Sequence, residues 1–196
     1  MGISFIKIKP YYKKLKIIFI SHEHQDHLLP QTIKKLAELR PTLKFIVANY
    51  LVKELCDLGV KKKNIIVLEK ERWYDFNAFK CKLTPTVHDK PNVAIHLDIK
   101  GEKIFYATDT STLKGIEARN YNYYFIEANY QEEELKTRLK EKEERGEFAY
   151  ERRVLSTHLS KQEADLFLLS QMGDNSECIY CHQHVTKEKD DGDNSN

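Results

Sequence analysis

The stretch Ile17-Ile-Phe-Ile-Ser-His-Glu-His-Gln-Asp-His27 decides how the rest of this 196-residue chain is interpreted. Its apolar start is typical of a short buried strand, and a cluster of histidines and carboxylates follows at once. Imidazole nitrogen and carboxylate oxygen are donors that zinc, iron and manganese accept. Because alternate residues of an extended segment point to the same side, His22 and His24 can share one ion. Asp26 and His27, past a turn, are expected to face a second ion.

Composition is that of a globular domain, with 41% apolar residues and no uninterrupted apolar run long enough for a membrane helix. The N-terminus lacks the features of a secretory signal, so we expect a soluble, cytoplasmic protein with reduced cysteines. Lys and Arg number 32 against 30 Asp and Glu, and residues 187–196 are polar and charged. We expect that tail to be disordered and the preceding body, residues 1–186, to be one mildly basic domain suited to an anionic substrate.

Short apolar runs alternate with helix-like segments along the chain, which favours a mixed α/β domain with helices covering its sheets. The predicted strands are Ser4–Ile8, Leu15–Ile20, Lys44–Ala48, Asn64–Leu68, Phe79–Leu83, Asn92–Ile99, Lys103–Ala107, Tyr123–Glu127 and Cys178–Tyr180. The predicted helices are Gln31–Leu39, Tyr50–Leu58, Gln131–Arg145 and Lys161–Gln171. Lys100-Gly-Glu-Lys103 predicts a hairpin turn.

The motif His22-x-His24-x-Asp26-His27 after a hydrophobic strand resembles the signature of the metallo-β-lactamase superfamily. Three later segments resemble the other ligand-bearing segments of that family: Thr84-Pro-Thr-Val-His-Asp89, Ile104-Phe-Tyr-Ala-Thr-Asp-Thr110 and Ile179-Tyr-Cys-His182. The resemblance implies an α/β (α+β) fold, a four-layer αββα sandwich. It also implies two divalent ions, zinc first with manganese or iron as alternatives. The implied ligands are His22, His24 and His88 for one ion, Asp26, His27 and His182 for the other, and Asp109 between them.

Two further segments, Phe125-Ile-Glu-Ala-Asn-Tyr130 and Ser156-Thr-His-Leu-Ser-Lys-Gln-Glu-Ala164, resemble the ribonuclease Z-like and small phosphodiesterase branch. By that resemblance Glu127 orients His158, which binds a phosphate oxygen or protonates the leaving group. The implied reaction is cleavage of RNA, single-stranded DNA or a cyclic nucleotide by a hydroxide generated at the two ions. Asp26 is expected to help orient that nucleophile.

Only 21 residues precede His22, fewer than the family usually carries, so we expect a minimal sandwich that lacks part of the N-terminal strands. The segment Ile3–Ile8 supplies one strand at most, and the open sheet edge predicts a homodimer. Two other functions stay open. The same metal centre can hydrolyse a carbon ester, lactone, β-lactam or thioester, and a regulatory protein can keep such metals without turnover.

Overall fold

Two β-sheets face each other in the computed structural model, which describes residues 2–183 and therefore not the predicted tail. The first sheet has three parallel strands in the order β1-β2-β3, namely β1 (Ile17–Phe19), β2 (Lys44–Val47) and β3 (Ile65–Val67). The second sheet has six strands in chain order: β4 (Tyr74–Asp75), β5 (Lys80–Thr86), β6 (Asn92–Ile99), β7 (Glu102–Ala107), β8 (Tyr123–Glu127) and β9 (Glu177–Cys181).

Six α-helices accompany the sheets: α1 (Phe5–Ile8), α2 (Pro30–Leu39), α3 (Val52–Asp57), α4 (Glu132–Glu144), α5 (Glu151–Thr157) and α6 (Lys161–Gln171). Single 3₁₀ turns occupy Tyr12–Lys14, Asn49–Leu51 and Lys62–Asn64. Within residues 2–183 no helix combines the length and the apolarity that a bilayer-spanning segment requires.

Three apolar clusters define the layers. One joins α2 and α3 to the face of the first sheet that carries Ile18 and Phe45. A second lies between the sheets and contains Ile46 and Ile95, and a third joins α6 to the second sheet around Phe105. The order helix, sheet, sheet, helix is the predicted αββα sandwich, and alternate residues of each strand fill the two clusters on either side of it.

Strand direction brings the ends of several strands together. Strand β5 is antiparallel to β6, β6 is antiparallel to β7, and β7, β8 and β9 are parallel to one another. Strands β5, β7, β8 and β9 of the second sheet therefore run in one direction. The residues that follow these four strands lie at one edge of the sheet. The predicted hairpin between β6 and β7 is present, with positive φ at Lys100 (56°) and Gly101 (94°), as a primed hairpin turn requires.

The N-terminal segment corrects one prediction. Ser4–Ile8 was expected to be a strand, but Phe5–Ile8 is a single helical turn. In it Ile8 is buried, Phe5 packs against the ring of Tyr12, and the hydroxyl of Thr32 donates to Ile3 O at 2.8 Å. Packing onto α2 outweighs β propensity because no strand pairs with the segment. The outer edge of β1 consequently has no strand beside it among the described residues.

Two short elements, β4 and α5, were not predicted. Strand β4 has two residues and α5 has seven, both too short for a periodic pattern to reveal them. The helix predicted at Gln131–Arg145 is present as α4, and only Leu135 in it is buried. Its exposed face carries ion pairs four residues apart, such as Glu132–Lys136 and Glu141–Arg145, as its sequence indicated.

Candidate metal centre

The first group of side chains comprises His22, His24 and His88. His22 Nε2 and His88 Nε2 each lie 3.2 Å from His24 Nδ1. His88 Nδ1 lies 2.9 Å from the carbonyl of Thr157, which can only accept, so Nδ1 carries the proton and Nε2 offers a free lone pair. Burial lowers the pKa of His22 to about 3, which keeps this imidazole neutral. Three imidazole nitrogens that converge in this way fit a divalent cation.

The second group collects around His27 and His182. His27 Nε2 lies 2.6 Å from Asp109 Oδ2, and His182 Nδ1 lies 3.2 Å from Asp109 Oδ1. Asp26 Oδ2 lies 3.4 Å from His182 Nε2 and 3.7 Å from His27 Nε2. All seven predicted ligands therefore lie in one place, although they come from the ends of β1, β5, β7 and β9.

Asp109 lies between the two groups. It belongs to one set of donor atoms, all within 4.8 Å of one another, with His22 and His27, and to another with Glu127, His158 and His182. The residue is 2% exposed, and its Oδ2 accepts no well-aligned hydrogen bond from the described residues. Burial would raise the pKa of Asp109, but the contacts with His27 and His182 lower it, so the carboxylate is ionised. A buried, ionised oxygen whose nearest donor, His27 Nε2 at 2.6 Å, is poorly aligned for a hydrogen bond fits a bound cation.

Backbone strain marks two of these positions. Asp109 has φ of 54° and His182 has φ of 51°, both in the left-handed region that residues other than glycine seldom occupy. Such conformations persist where surrounding contacts hold them, and they cluster at functional sites. The strain supports a functional role for the turns that follow β7 and β9.

Glu127 connects the centre to His158. Its Oε1 accepts from His158 Nδ1 at 2.7 Å and from His182 Nδ1 at 2.9 Å. Its Oε2 accepts from the backbone of Thr110 at 3.1 Å and of Leu159 at 3.3 Å. Burial would raise the pKa of Glu127, but these hydrogen bonds lower it. The hydrogen bond with Glu127 in turn raises the pKa of His182 to about 9, against the effect of burial.

The Glu127–His158 contact that the resemblance implied is thus present in the structure. The contact between Glu127 and His182 was not predicted. It shows that one carboxylate orients a candidate metal ligand as well as His158, an arrangement typical of metal centres. The helix predicted at Lys161–Gln171 is also present, and Ser160 caps its start, since the Ser160 side chain accepts from the backbone of Glu163.

Two carboxylates at the rim of the centre were missed. Asp89 Oδ1 lies 3.1 Å from His88 Nε2, and Asp89 pairs with Arg153 of α5. Glu23, between the two histidines of the motif, pairs with Lys90 at 2.7 Å. The position of Asp89 directly after His88 could have indicated from the sequence that Asp89 lies at the centre. Arg153 is 64 residues from Asp89 along the chain, so only the fold brings the two together.

Comparison with known proteins identifies the family. Residues 6–185 match the model of the family described as "Beta-lactamase superfamily domain". The chain therefore belongs to the β-lactamase superfamily, and its fold is the metallo-β-lactamase sandwich expected from the sequence. Membership and the clustered histidines and aspartates together indicate that it binds divalent metal.

The relatives cover different parts of the chain. Cytidine monophosphate-N-acetylneuraminic acid hydroxylase of Sus scrofa is 36% identical over 104 residues, which is 50% of this chain and 24% of the relative. The chain thus spans about a quarter of the length of this curated relative, and still less of others that it matches.

Solved structures share the fold at low identity. YhfI from Bacillus subtilis, a metallo-β-lactamase fold protein, aligns with a TM-score of 0.68 at 15% identity, covering 93% of this chain and 71% of YhfI. Human tRNase Z, short form, aligns with a TM-score of 0.64 at 16% identity, covering 91% of this chain and 76% of the tRNase Z chain. At these identities both likenesses show a shared fold and nothing more specific.

Proposed function

We propose that this protein hydrolyses phosphodiester bonds at a pair of divalent metal ions. The observation that carries the proposal is His158, which Glu127 holds beside the metal centre. The His158 ring lies 5.5 Å from that of His88 and 5.2 Å from that of His182, centroid to centroid. Its side chain is 19% exposed, so a substrate at the centre can reach it. Hydrolysis of a phosphodiester uses such a second histidine, whereas acyl hydrolysis does not require it.

The proposed ligands are those implied by the resemblance to the metallo-β-lactamase superfamily. The first ion would be held by His22, His24 and His88, and the second by Asp26, His27 and His182, with Asp109 shared. This assignment rests on the converging nitrogens of the first group and on the buried carboxylate of Asp109 between the two groups. We propose zinc, with manganese or iron as alternatives that accept the same donors.

Two divalent ions held by these residues would supply positive charge opposite the phosphate and would lower the pKa of a bound water molecule. The chain's own groups would orient the attacking water and protonate the substrate. Since Glu127 accepts the Nδ1 proton of His158, the imidazolium form of that ring would present its second proton, on Nε2, to a phosphate or leaving-group oxygen. Asp26, 56% exposed, offers a carboxylate oxygen that can orient the attacking water. The substrate class is RNA, single-stranded DNA or a cyclic nucleotide, cleaved in the cytoplasm.

The test uses a bis-(p-nitrophenyl) phosphate reporter. We expect His158→Ala to lower kcat by roughly 10²–10⁴-fold while the metal content is unchanged, because general acid catalysis contributes that much. His96→Gln is the control, since His96 is the one described histidine outside the centre, and it should retain full activity. Full activity of the metal-loaded His158→Ala protein would refute the proposed role.

A second candidate function comes from the hydroxylase relative, whose match covers half of this chain. Histidine and carboxylate donors also suit iron, so the same centre can serve an oxidative reaction. Oxygen consumption by the iron-loaded protein, without phosphodiester cleavage by the zinc-loaded protein, would favour this candidate. Turnover of carbon esters, lactones or thioesters alone would favour acyl hydrolysis, and bound metal with no turnover would favour a regulatory protein.

A further inference from the structure

Charge is distributed unevenly along the chain. The first 63 residues contain thirteen Lys and Arg against five Asp and Glu, an excess of eight positive charges. The remaining residues contain nineteen against twenty-five, an excess of six negative charges. The nearly neutral total therefore conceals a basic first third, which also carries the signature motif of the metal centre.

Many of these cations lie at the amino ends of the three parallel strands of the first sheet. Lys16 directly precedes β1, Lys44 is the first residue of β2, and Lys63 comes just before β3. The register pairs Ile17 with Lys44 and Phe45 with Ile65, so the three positions form a row across the sheet. Neighbouring strands are about 4.8 Å apart. We call the basic edge the row formed by Lys13, Lys14, Lys16, Lys44, Lys61, Lys62 and Lys63.

Hydrogen bonds hold the backbone of this edge in place. Arg40 donates through Nη2 to Leu15 O at 2.8 Å and through Nη1 to Tyr12 O, which ties the segment before β1 to the end of α2. Lys44 Nζ donates to Lys63 O at 2.7 Å. The segments are therefore positioned relative to one another before any partner binds, which lowers the entropy cost of binding.

The cations of the basic edge are not neutralised locally. Among the described residues, none of them has a carboxylate oxygen within 4.0 Å, whereas lysines of α4 such as Lys136 and Lys140 do. All but Lys44 are exposed. The adjacent Tyr11 is 62% exposed and offers an aromatic face. A row of free cations next to an exposed aromatic ring fits a chain of phosphates whose bases can stack.

The basic edge and the metal centre lie at opposite ends of β1. Lys16 is six residues from His22, so the two are separated by at most about 20 Å. A few nucleotides of extended chain span that distance. We propose that the basic edge binds single-stranded nucleic acid and presents it to the metal centre, an inference that rests on the proposed phosphodiesterase function.

An anionic lipid surface is the competing partner, because Ile3 and Ile6 are exposed close to lysines. The basic edge, however, crosses three strands and ends at Lys61–Lys63, far along the chain from those two aliphatic residues. Cations arranged in a row beside Tyr11 match a linear polyanion better than a plane of headgroups.

The experiment compares two triple charge reversals in the metal-loaded protein. Lys13→Glu/Lys14→Glu/Lys62→Glu alters the basic edge, and Lys70→Glu/Lys100→Glu/Lys114→Glu makes the same change of charge at exposed lysines elsewhere that form no ion pair among the described residues. Fluorescence anisotropy measures binding of a 2′-O-methyl RNA oligomer of about 12 nucleotides, within the usual site size. Thermal unfolding checks that both variants are folded.

We expect the edge variant to bind the oligomer at least tenfold more weakly than the wild type. The slope of log affinity against log salt concentration should become shallower by about two, since three phosphate contacts disappear. The control should bind as the wild type does, and both variants should cleave the small reporter normally. Equal losses in both variants, or no loss in the edge variant, would overturn the inference. Binding of phosphatidylserine vesicles in preference to RNA would overturn it in favour of a membrane. A wild-type protein that binds RNA through the edge but cleaves no phosphodiester overturns the proposed function only.

Discussion

At the scale of single residues, Glu127 contacts two histidines of the metal centre, whereas the resemblance implied only its contact with His158. It accepts from both His158 and His182 through one oxygen, and the backbone of Thr110 and Leu159 holds the other. A neutral amide can accept through its oxygen only, and its NH₂ group would face two backbone N–H donors. Any change at this position therefore affects the proposed acid and a proposed metal ligand together.

We expect Glu127→Gln to lower both the reporter turnover and the content of the more weakly held ion. Elemental analysis after dialysis against a mild chelator, together with kcat, measures the two effects. Glu151→Gln is the matched control, because Glu151 is equally buried but pairs with Lys142. If Glu127→Gln kept both ions and full turnover, the orienting role of Glu127 would be wrong.

His96 provides a prediction about pH that is independent of the metal centre. It is fully buried between Thr84 and Tyr121, and burial lowers its pKa to about 3. In the unfolded chain the pKa returns to about 6.5. The stability that neutral His96 contributes is thus complete above pH 6.5 and is lost as the pH falls toward 3.

The measurement is the free energy of unfolding of the wild type and of His96→Gln at two pH values. Relative to the variant, the wild type should lose about 1 kcal/mol between pH 7.5 and 5.5. Comparing the two proteins cancels the contributions of other titrating groups, whereas the effect of Lys82, whose charge also disfavours protonation of His96, remains part of the difference. Parallel pH profiles would contradict the assignment of a neutral, buried His96.

At the scale of elements, α6 supports the segment that carries His158. Ser160 Oγ accepts from Glu163 N at 3.1 Å and donates to Glu132 Oε1 at 3.0 Å, so it caps α6 and ties it to α4. His158 lies two residues before this cap. The position of the proposed acid therefore depends on how firmly the start of α6 is held.

We expect Ser160→Ala to lower the free energy of unfolding by about 1 kcal/mol, the usual cost of a lost N-cap. Denaturant unfolding measures it. Ser170→Ala is the control, since the Ser170 hydroxyl donates to Phe167 O inside the same helix and caps nothing. A smaller loss at Ser160 than at Ser170 would show that the cap does not stabilise the helix.

At the scale of the whole molecule, the first sheet ends at β1 without a neighbouring strand in the described part of the chain. A cavity of about 380 Å³ opens where β1 meets the second sheet, and Phe19, Ile104, Tyr106 and Phe125 are among the residues that line it. An open edge next to apolar side chains favours association. We infer that a second copy of the chain covers this edge.

Sedimentation velocity over a range of concentrations tests the homodimer. We expect the sedimentation coefficient to rise to that of a dimer as the concentration increases. A strictly monomeric protein at high concentration would contradict the prediction and leave the edge to a different partner.

Several elements were predictable because their signals are local. The alternation of short strands with helices predicted a mixed α/β domain, and the resemblance of the His22–His27 motif to the metallo-β-lactamase superfamily implied the sandwich. The strand predicted at Ser4–Ile8 was wrong, since packing onto α2 outweighs the β propensity of isoleucine. Helix α5 escaped prediction because its charged, seven-residue sequence has no apolar period.

The sequence by itself determined which motifs resemble the metallo-β-lactamase superfamily, because motif order is encoded along the chain, and that resemblance predicted the sandwich and the candidate ligands from His22 to His182. Only the tertiary structure decided which side chains Glu127 contacts, that Asp109 lies between two groups of histidines, and that Arg153 reaches Asp89. The reason is physical. These contacts join residues tens of positions apart, and a donor set depends on distances between side chains that only the packed sheets define.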